Sequence, residues 1–228
     1  MDRLRLGAAM VLVLAALTTA AALADNVQLQ ARVAQIKSAI AANKQMLAQY
    51  TWQQFETVSV KGDIKKQETY QVQIGPDGQQ QKALESEQAQ SGRPHGIKHR
   101  ISEDYEKYGN QIAALAQSYA QPDPGKIQYL YQQGQVTLGS AGAPNTAAVV
   151  IHNYVKQGDS VTLVFNTALK AMLSVNVATY LSDPSDAVTI AGQFAQLADG
   201  TNYVQNLTIN GSSKSLTVQQ ANSNFQKR

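Results

Sequence analysis

The sequence predicts an α+β fold, a curved antiparallel sheet of about ten strands that forms an open half-barrel covered by an N-terminal helix and two mid-chain helices. Three observations predict it. Apolar residues return at helical spacing in only three places. Two-residue alternation fills most of the remaining chain, punctuated by turn sequences such as Lys61-Gly62-Asp63, Gln157-Gly158-Asp159 and Asp199-Gly200. No regular exchange of strand with helix indicates a parallel, doubly wound sheet.

The elements follow in order. The chain opens with MDRLRLGAAMVLVLAALTTAAALADN, where Arg3 and Arg5 make a basic head, Met10 to Leu17 an apolar centre, and Ala22-Leu23-Ala24 a small-x-small site. This reads as a bacterial secretory signal over residues 1–24, cleaved after Ala24, and residues 25–228 read as one domain. The apolar run is too short for a membrane span, which needs about 20 apolar residues, so an integral membrane protein is not expected. The expected location is the periplasm or the medium. With no cysteine in the chain there is neither a lipid-anchoring residue nor a disulfide, and stability must come from the core.

Residues 26–49 place Leu29, Val33, Ile36, Ile40 and Leu47 on one stripe of a first helix. From Thr51 the period falls to two. Trp52, Val58 and Val60 share a face of one strand, and Tyr70, Val72 and Ile74 share a face of the next, across the turn Lys61-Gly62-Asp63. Gly75-Pro76-Asp77-Gly78 then turns the chain into a short third strand, and residues 86–96 read as a loop. Ile101, Tyr105, Tyr108, Ile112, Leu115 and Tyr119 recur at four and three residues and define a second helix. Asp123 offers an N-cap with Pro124 at the first position and Gly134 at the end of a short third helix. Strands at 135–139, 146–155, 160–166, 171–181, 187–197, 202–209 and 215–224 complete a meander, with Asp183-Pro184-Ser185-Asp186 and Asn210-Gly211 among its turns. So wide a sheet must curl, and the helical stripes are expected to cover its concave side.

Segments such as IKKQETYQVQIGPDG, NYVKQGDSVTLVFNT, YLSDPSDAVTI, ADGTNYVQN and NSNFQK resemble an exported bacterial protein family of unknown function. The order of elements resembles the open-barrel group of the lipoprotein carrier LolA and the periplasmic regulator RseB. That resemblance implies a half-barrel with a helical lid and an apolar groove.

Candidate chemistry is sparse. His95, His99 and Glu103 are spaced to share a helix face as zinc ligands, but Pro94 and Gly96 place His95 in a loop, and no metal site is assigned. His152 lies alone in a strand. GxSxG, SxxK and HExxH are absent from the sequence, and Gly139 to Gly142 is no phosphate-binding loop. Neither a catalytic residue nor a cofactor is expected, and the protein is read as non-enzymatic. Removing Asp2, Arg3 and Arg5 with the signal lowers the net charge from +3 to +2, too little to expect nucleic-acid binding. The expected function is a periplasmic binding protein whose apolar groove takes a lipid, acyl chain or other hydrophobic molecule, lined by Trp52, Tyr105, Tyr108, Ile112, Leu115 and Tyr119. The alternative is an envelope interaction or sensor domain with a filled core and a protein partner, with a metal-dependent hydrolase last.

Overall fold

The computed structural model describes residues 27–228 apart from 28–29, 32, 36–37, 90–96, 121–122 and 140. The predicted signal and its cleavage site lie outside these residues. Described positions between 27 and 47 are helical and form α1. Three strands follow, β1 (Tyr50–Val60), β2 (Asp63–Ile74) and β3 (Gln80–Ala89). Two helices come next, α2 (Ile97–Ala120) and α3 (Pro124–Gln132). The second half of the chain holds β4 (Val136–Gly139), β5 (Thr146–His152), β6 (Ser160–Asn166), β7 (Ala171–Tyr180), β8 (Ala187–Gln196), β9 (Asn202–Gly211) and β10 (Leu216–Lys227).

All ten strands join one sheet in the order β3-β2-β1-β10-β9-β8-β7-β6-β5-β4. Neighbours are antiparallel throughout. The sheet is open, since β3 and β4 are its two ends. Two meanders, β1–β3 and β4–β10, therefore meet at a single seam where the first strand pairs with the last, from Tyr50 opposite Lys227 to Val60 opposite Leu216. Arg228 continues the seam, its backbone N–H donating to Gln49 O at 2.7 Å.

Local chemistry accounts for the ends of these elements. Asp123 caps α3 by accepting from the backbone N–H of Gly125 (2.7 Å) and Lys126 (3.3 Å), with Pro124 at the first helical position. Gly134, at φ 69°, ends the helix, and Gln135 N–H donates back to Leu130 O. The asparagine side chain of Asn43 does for α1 what a strand would do. Its amide donates to Asn202 O and accepts from Asn202 N–H, both at 2.7 Å, which ties the end of α1 to the start of β9.

Two expectations need correction. The third strand is not short, because β3 runs for ten residues through Ala89 and takes the place of part of the expected loop. Asn210-Gly211 is not a turn. Gly211 pairs with Leu216 and with Val188 inside the sheet, and the turn lies beyond it at residues 212–215. Glycine is required there by α2, since a Cβ at Gly211 would come within 2.6 Å of the Tyr108 hydroxyl and 2.7 Å of its ring. Gly211→Ala should lower stability by about 1–3 kcal/mol, the usual cost of an overpacked contact. Urea denaturation checks this, and an unchanged midpoint would mean that the Tyr108 ring yields freely.

Candidate functional site

The expected groove-lining residues divide between two places. Ile112 is fully buried, with Tyr108 (5 % exposed) and Tyr119 (7 % exposed) beside it, in one core with Val149, Leu163, Phe165 and Ile190 of the sheet. Tyr105 and Leu115 are half-buried against that core. Glu103, Glu106, Lys107 and Gln111 face outward, as helical phase requires. Trp52 stands apart. Its ring stacks on Phe225 (centroids 5.4 Å, 15° between planes), Tyr203 and Tyr50 pack on the same phenyl ring, and its indole N–H donates to Asn222 Oδ1.

Two phenol–carboxylate bonds hold α2 on the sheet. The Tyr108 hydroxyl donates to Asp186 Oδ1 at 2.7 Å. The Tyr119 hydroxyl donates to Asp159 Oδ2 at 2.6 Å and lies 2.8 Å from the Thr179 hydroxyl. Asp159 is only 1 % exposed. A buried carboxylate is tolerable only when its lone pairs are filled, and here the backbone N–H groups of Tyr154 (2.5 Å), Val155 (2.8 Å) and Lys156 (2.9 Å) all donate to it. That cradle explains why β5 stops at His152 and not at the expected residue 155, because the N–H groups of 154–156 turn inward to the carboxylate. Asn153, at φ 57°, receives the Gly158 N–H on its side chain and closes the turn. The Tyr154 hydroxyl accepts from Asp123 N–H, the residue that caps α3. Lys156 donates to Tyr180 O and Leu181 O at the end of β7.

The face that β1 and β2 share with this core is polar. Gln54 (3 % exposed) and Glu68 (6 % exposed) are buried. Glu56 and Glu68 stand directly opposite in the β1·β2 ladder, where like charges repel. Lys66 at 2.7 Å from Glu68, Lys82 at 3.9 Å from Glu56, and the Gln220 amide donating to Glu56 at 2.8 Å offset that repulsion. Burial lowers the Lys82 ammonium's pKa, whereas the hydrogen bond to Glu68 raises that of Lys66. Two surface depressions are better formed, one of about 290 Å³ at Gln53, Gln71, Asn224, Phe225 and Gln226, the other of about 470 Å³ near Gly158 and Thr179.

The His95, His99 and Glu103 face, to which no metal was assigned, lies partly outside the described residues. His95 lies outside them, His99 falls in the first turn of α2, and no group of three His, Cys, Asp or Glu among them is placed to hold a metal. His152 is exposed at the end of β5. None of the described helices is long and apolar enough to cross a membrane.

No protein-family model matches the sequence, and no curated protein matches it. Among solved structures, the chain is similar to a DUF1329 family protein from Desulfovibrio piger ATCC 29098, at a TM-score of 0.41 and 9 % identity over 84 % of this chain and 92 % of that one. So slight a likeness leaves function to the chain's own residues.

The sequence alone does not reveal the Asp159 cradle. The sequence places Asp159 in a turn, and a turn aspartate and a buried one look alike in one dimension. Asp159→Ala should cost on the order of 3–5 kcal/mol, because it leaves three backbone donors and the Tyr119 hydroxyl without their acceptor. Tyr119→Phe, which removes one bond and keeps the ring, should cost about 1–2 kcal/mol. Denaturant melts rank the two, and equal losses would reject the cradle as the dominant element.

The phenols also set an alkaline limit. Burial and then the bond to Asp186 push Tyr108 up to about 12, and burial first, with a carboxylate bond second, raises Tyr119 and Tyr70. Each phenol binds its proton more tightly when folded, so its contribution is complete below the ordinary tyrosine value near ~10 and is lost as pH rises through the folded values. Ultraviolet titration should therefore show some tyrosines ionising normally and a late group ionising together with unfolding. Independent ionisation of all tyrosines near that ordinary value, with the fold intact, would contradict this.

Proposed function

We propose that the protein is an exported, non-enzymatic binding module of the bacterial envelope, in which the helix-covered concave face is a filled core. The observation that carries this reading is the fully buried Ile112 at the centre of α2, locked from both sides by Tyr108 on Asp186 and Tyr119 on Asp159. An acyl chain seated between α2 and the sheet would have to displace this side chain and break the phenol–carboxylate bonds. That favours the interaction or sensor reading over the carrier, although the residues of α2 are those expected to line a groove. The Asp159 carboxylate has its partners already in the cradle, which makes it a structural group. Export rests on the basic head, apolar centre and Ala22-Leu23-Ala24 of the leader.

A delipidated preparation titrated with a fluorescent fatty-acid analogue should show no saturable binding, while the mature chain recovered from the envelope fraction should begin at Asp25. Saturable binding that Ile112→Asp abolishes without unfolding would restore the carrier. An uncleaved N-terminus in the cytoplasmic fraction would remove the envelope from the proposal.

A further inference from the structure

The face of the sheet turned away from the helices is almost empty of charge. One row of paired residues crosses every strand, from Thr137 on β4 to Gln88 on β3, with Asn176, Ala191, Thr208 and Gln219 at its centre. A second row crosses all ten strands from Gly139 to Ser86 by way of Ser174 and Phe55. None of these twenty residues is Asp, Glu, Lys or Arg, although the chain's own 15 % of charged residues would give three. Their sequence neighbours Leu163, Val177, Ile190 and Ile209 lie in the core, which fixes the direction of the rows as outward. A third row, from Ser160 on β6 to Ser59 on β1, is equally uncharged. Strands β1–β3 do carry charge, but Glu56, Glu68, Lys66 and Lys82 take the concave side. Lys65 and Glu85, each at a register shift, only border the rows.

Charges on an outward strand face keep a sheet hydrated and apart from its neighbours. Surfaces that lose their water on docking are instead depleted of charge at their centre. The side chains here are also unspent. Asn176, Thr208 and Gln219 make no side-chain hydrogen bond among the described residues. An amide or a hydroxyl carries both a donor and an acceptor, so it can pair with its own kind, which neither a carboxylate nor an ammonium can do. That property matters where a surface meets its own copy. The two-fold axis between two stacked sheets lies in the plane of contact and sets a line of residues each against its own equivalent. A charge on that line would face its like, whereas the row through Asn176, Ala191 and Thr208 has none to oppose.

Size and shape agree with this. Each position takes about 4.8 Å across the strands and ~6.7 Å along them, so the three rows together cover roughly 800 Å², one partner's share of a standard interface. The face is convex, and the gap between two copies opens away from its centre. Small side chains, those of Ala178 and Ala191, stand near the middle of the sheet on β7 and β8. The large Phe55 ring, 43 % exposed, stands to one side on β1. The centres can therefore approach while a bulkier group fills the flank. Contact through the edges is the poorer route, because β3 carries charge and β4 is only four residues long.

We propose that the outward face of the sheet docks a second copy of this chain, about a two-fold axis running along the row centred on Ala191 and Thr208. The proposal rests on the interaction reading and names its partner. The fatty-acid titration tests that reading and the state of association tests this one, so either can fail alone. Sedimentation velocity of the mature chain should show a dimer at about 100 µM that dissociates on dilution towards ~1 µM. Raising the salt from about 0.05 M to ~0.5 M should leave the dimer intact, since no charge takes part. Asn176→Asp adds only a charge to a side chain that is exposed in the single chain, and Ala191→Glu adds one at the centre. Both should stay folded in denaturant melts yet associate about tenfold more weakly or worse, because each new carboxylate meets its own copy. Gln111→Glu, on the exposed side of α2, should dimerise as the parent does. A parent chain that remains monomeric at about 100 µM overturns the proposal and leaves the face to a different protein. A dimer that salt disperses, or one that Asn176→Asp does not weaken, overturns it as well, because a charged or edge-on contact then holds the copies together.

Discussion

The position of the helices on this sheet depends on one buried carboxylate. Asp159 is placed where hydration is lost, and an ion there is stable only if fixed dipoles replace the water. The turn after β5 supplies three N–H groups for that purpose, and the last donor comes from Tyr119 near the end of α2. A polar requirement at one residue thus determines where β5 ends, how the β5–β6 turn is shaped and where α2 comes down. Tyr154 in the same turn receives the Asp123 N–H, so α3 starts at a position referred to the same point. Apolar contact alone would hold α2 near the sheet but would not fix its rotation. The two phenols, eleven positions or about three turns apart, fix it.

With the helices so placed, the sheet has two different halves. Strands β4–β9 offer Val149, Leu163, Phe165, Val188 and Ile190 to the core. Across the β1·β10 seam the same face changes to Gln54, Glu56, Glu68 and Gln220 in register with one another. Trp52 donates to Asn222 Oδ1, Asn222 Nδ2 donates to Val204 O, and Gln54 Nε2 reaches Asn222 Oδ1 at 3.2 Å. This chain of amides sets the direction of Gln54 and leaves its Oε1 buried without a partner. Polar networks of this kind specify register more than they stabilise, because a one-residue slip would turn every member out of the network.

Much of this was legible in the sequence where chemistry is local. The Asp123-Pro124 cap, the Lys61-Gly62-Asp63 turn and the strand over residues 160–166 are local decisions, made by residues that meet within a few positions of each other. Asn210-Gly211 shows the limit. That dipeptide is a strong hairpin signal, but Gly211 is small because Tyr108, far away in sequence, rests on it. The length of β3 is hidden in the sequence because Lys and Glu are poor strand formers, and β3 is drawn out by pairing with β2. The stripe of α2 was readable, yet nothing in its spacing distinguishes a cavity wall from a filled core. That difference depends on residues from seven strands, β4 to β10, arriving at the same place.

The outward face of β1, β2 and β10 poses a final constraint. Flat strands rich in glutamine and low in charge pair readily with further strands, so such a face is safe only if the adjoining edge is protected. The edge here is β3, and its composition differs from its neighbours in the required way. Lys82, Glu85 and Glu87 place both signs of charge along ten residues, with Glu85 tied back to Gln53 and Glu87 lying 3.6 Å from Lys66. An incoming strand would have to desolvate these charges and break those contacts before gaining a ladder. The opposite edge, β4, is kept to four residues and its inward side is occupied by Val136 against the core. The sheet can therefore present a neutral amide surface on its broad side because its narrow sides are charged or short.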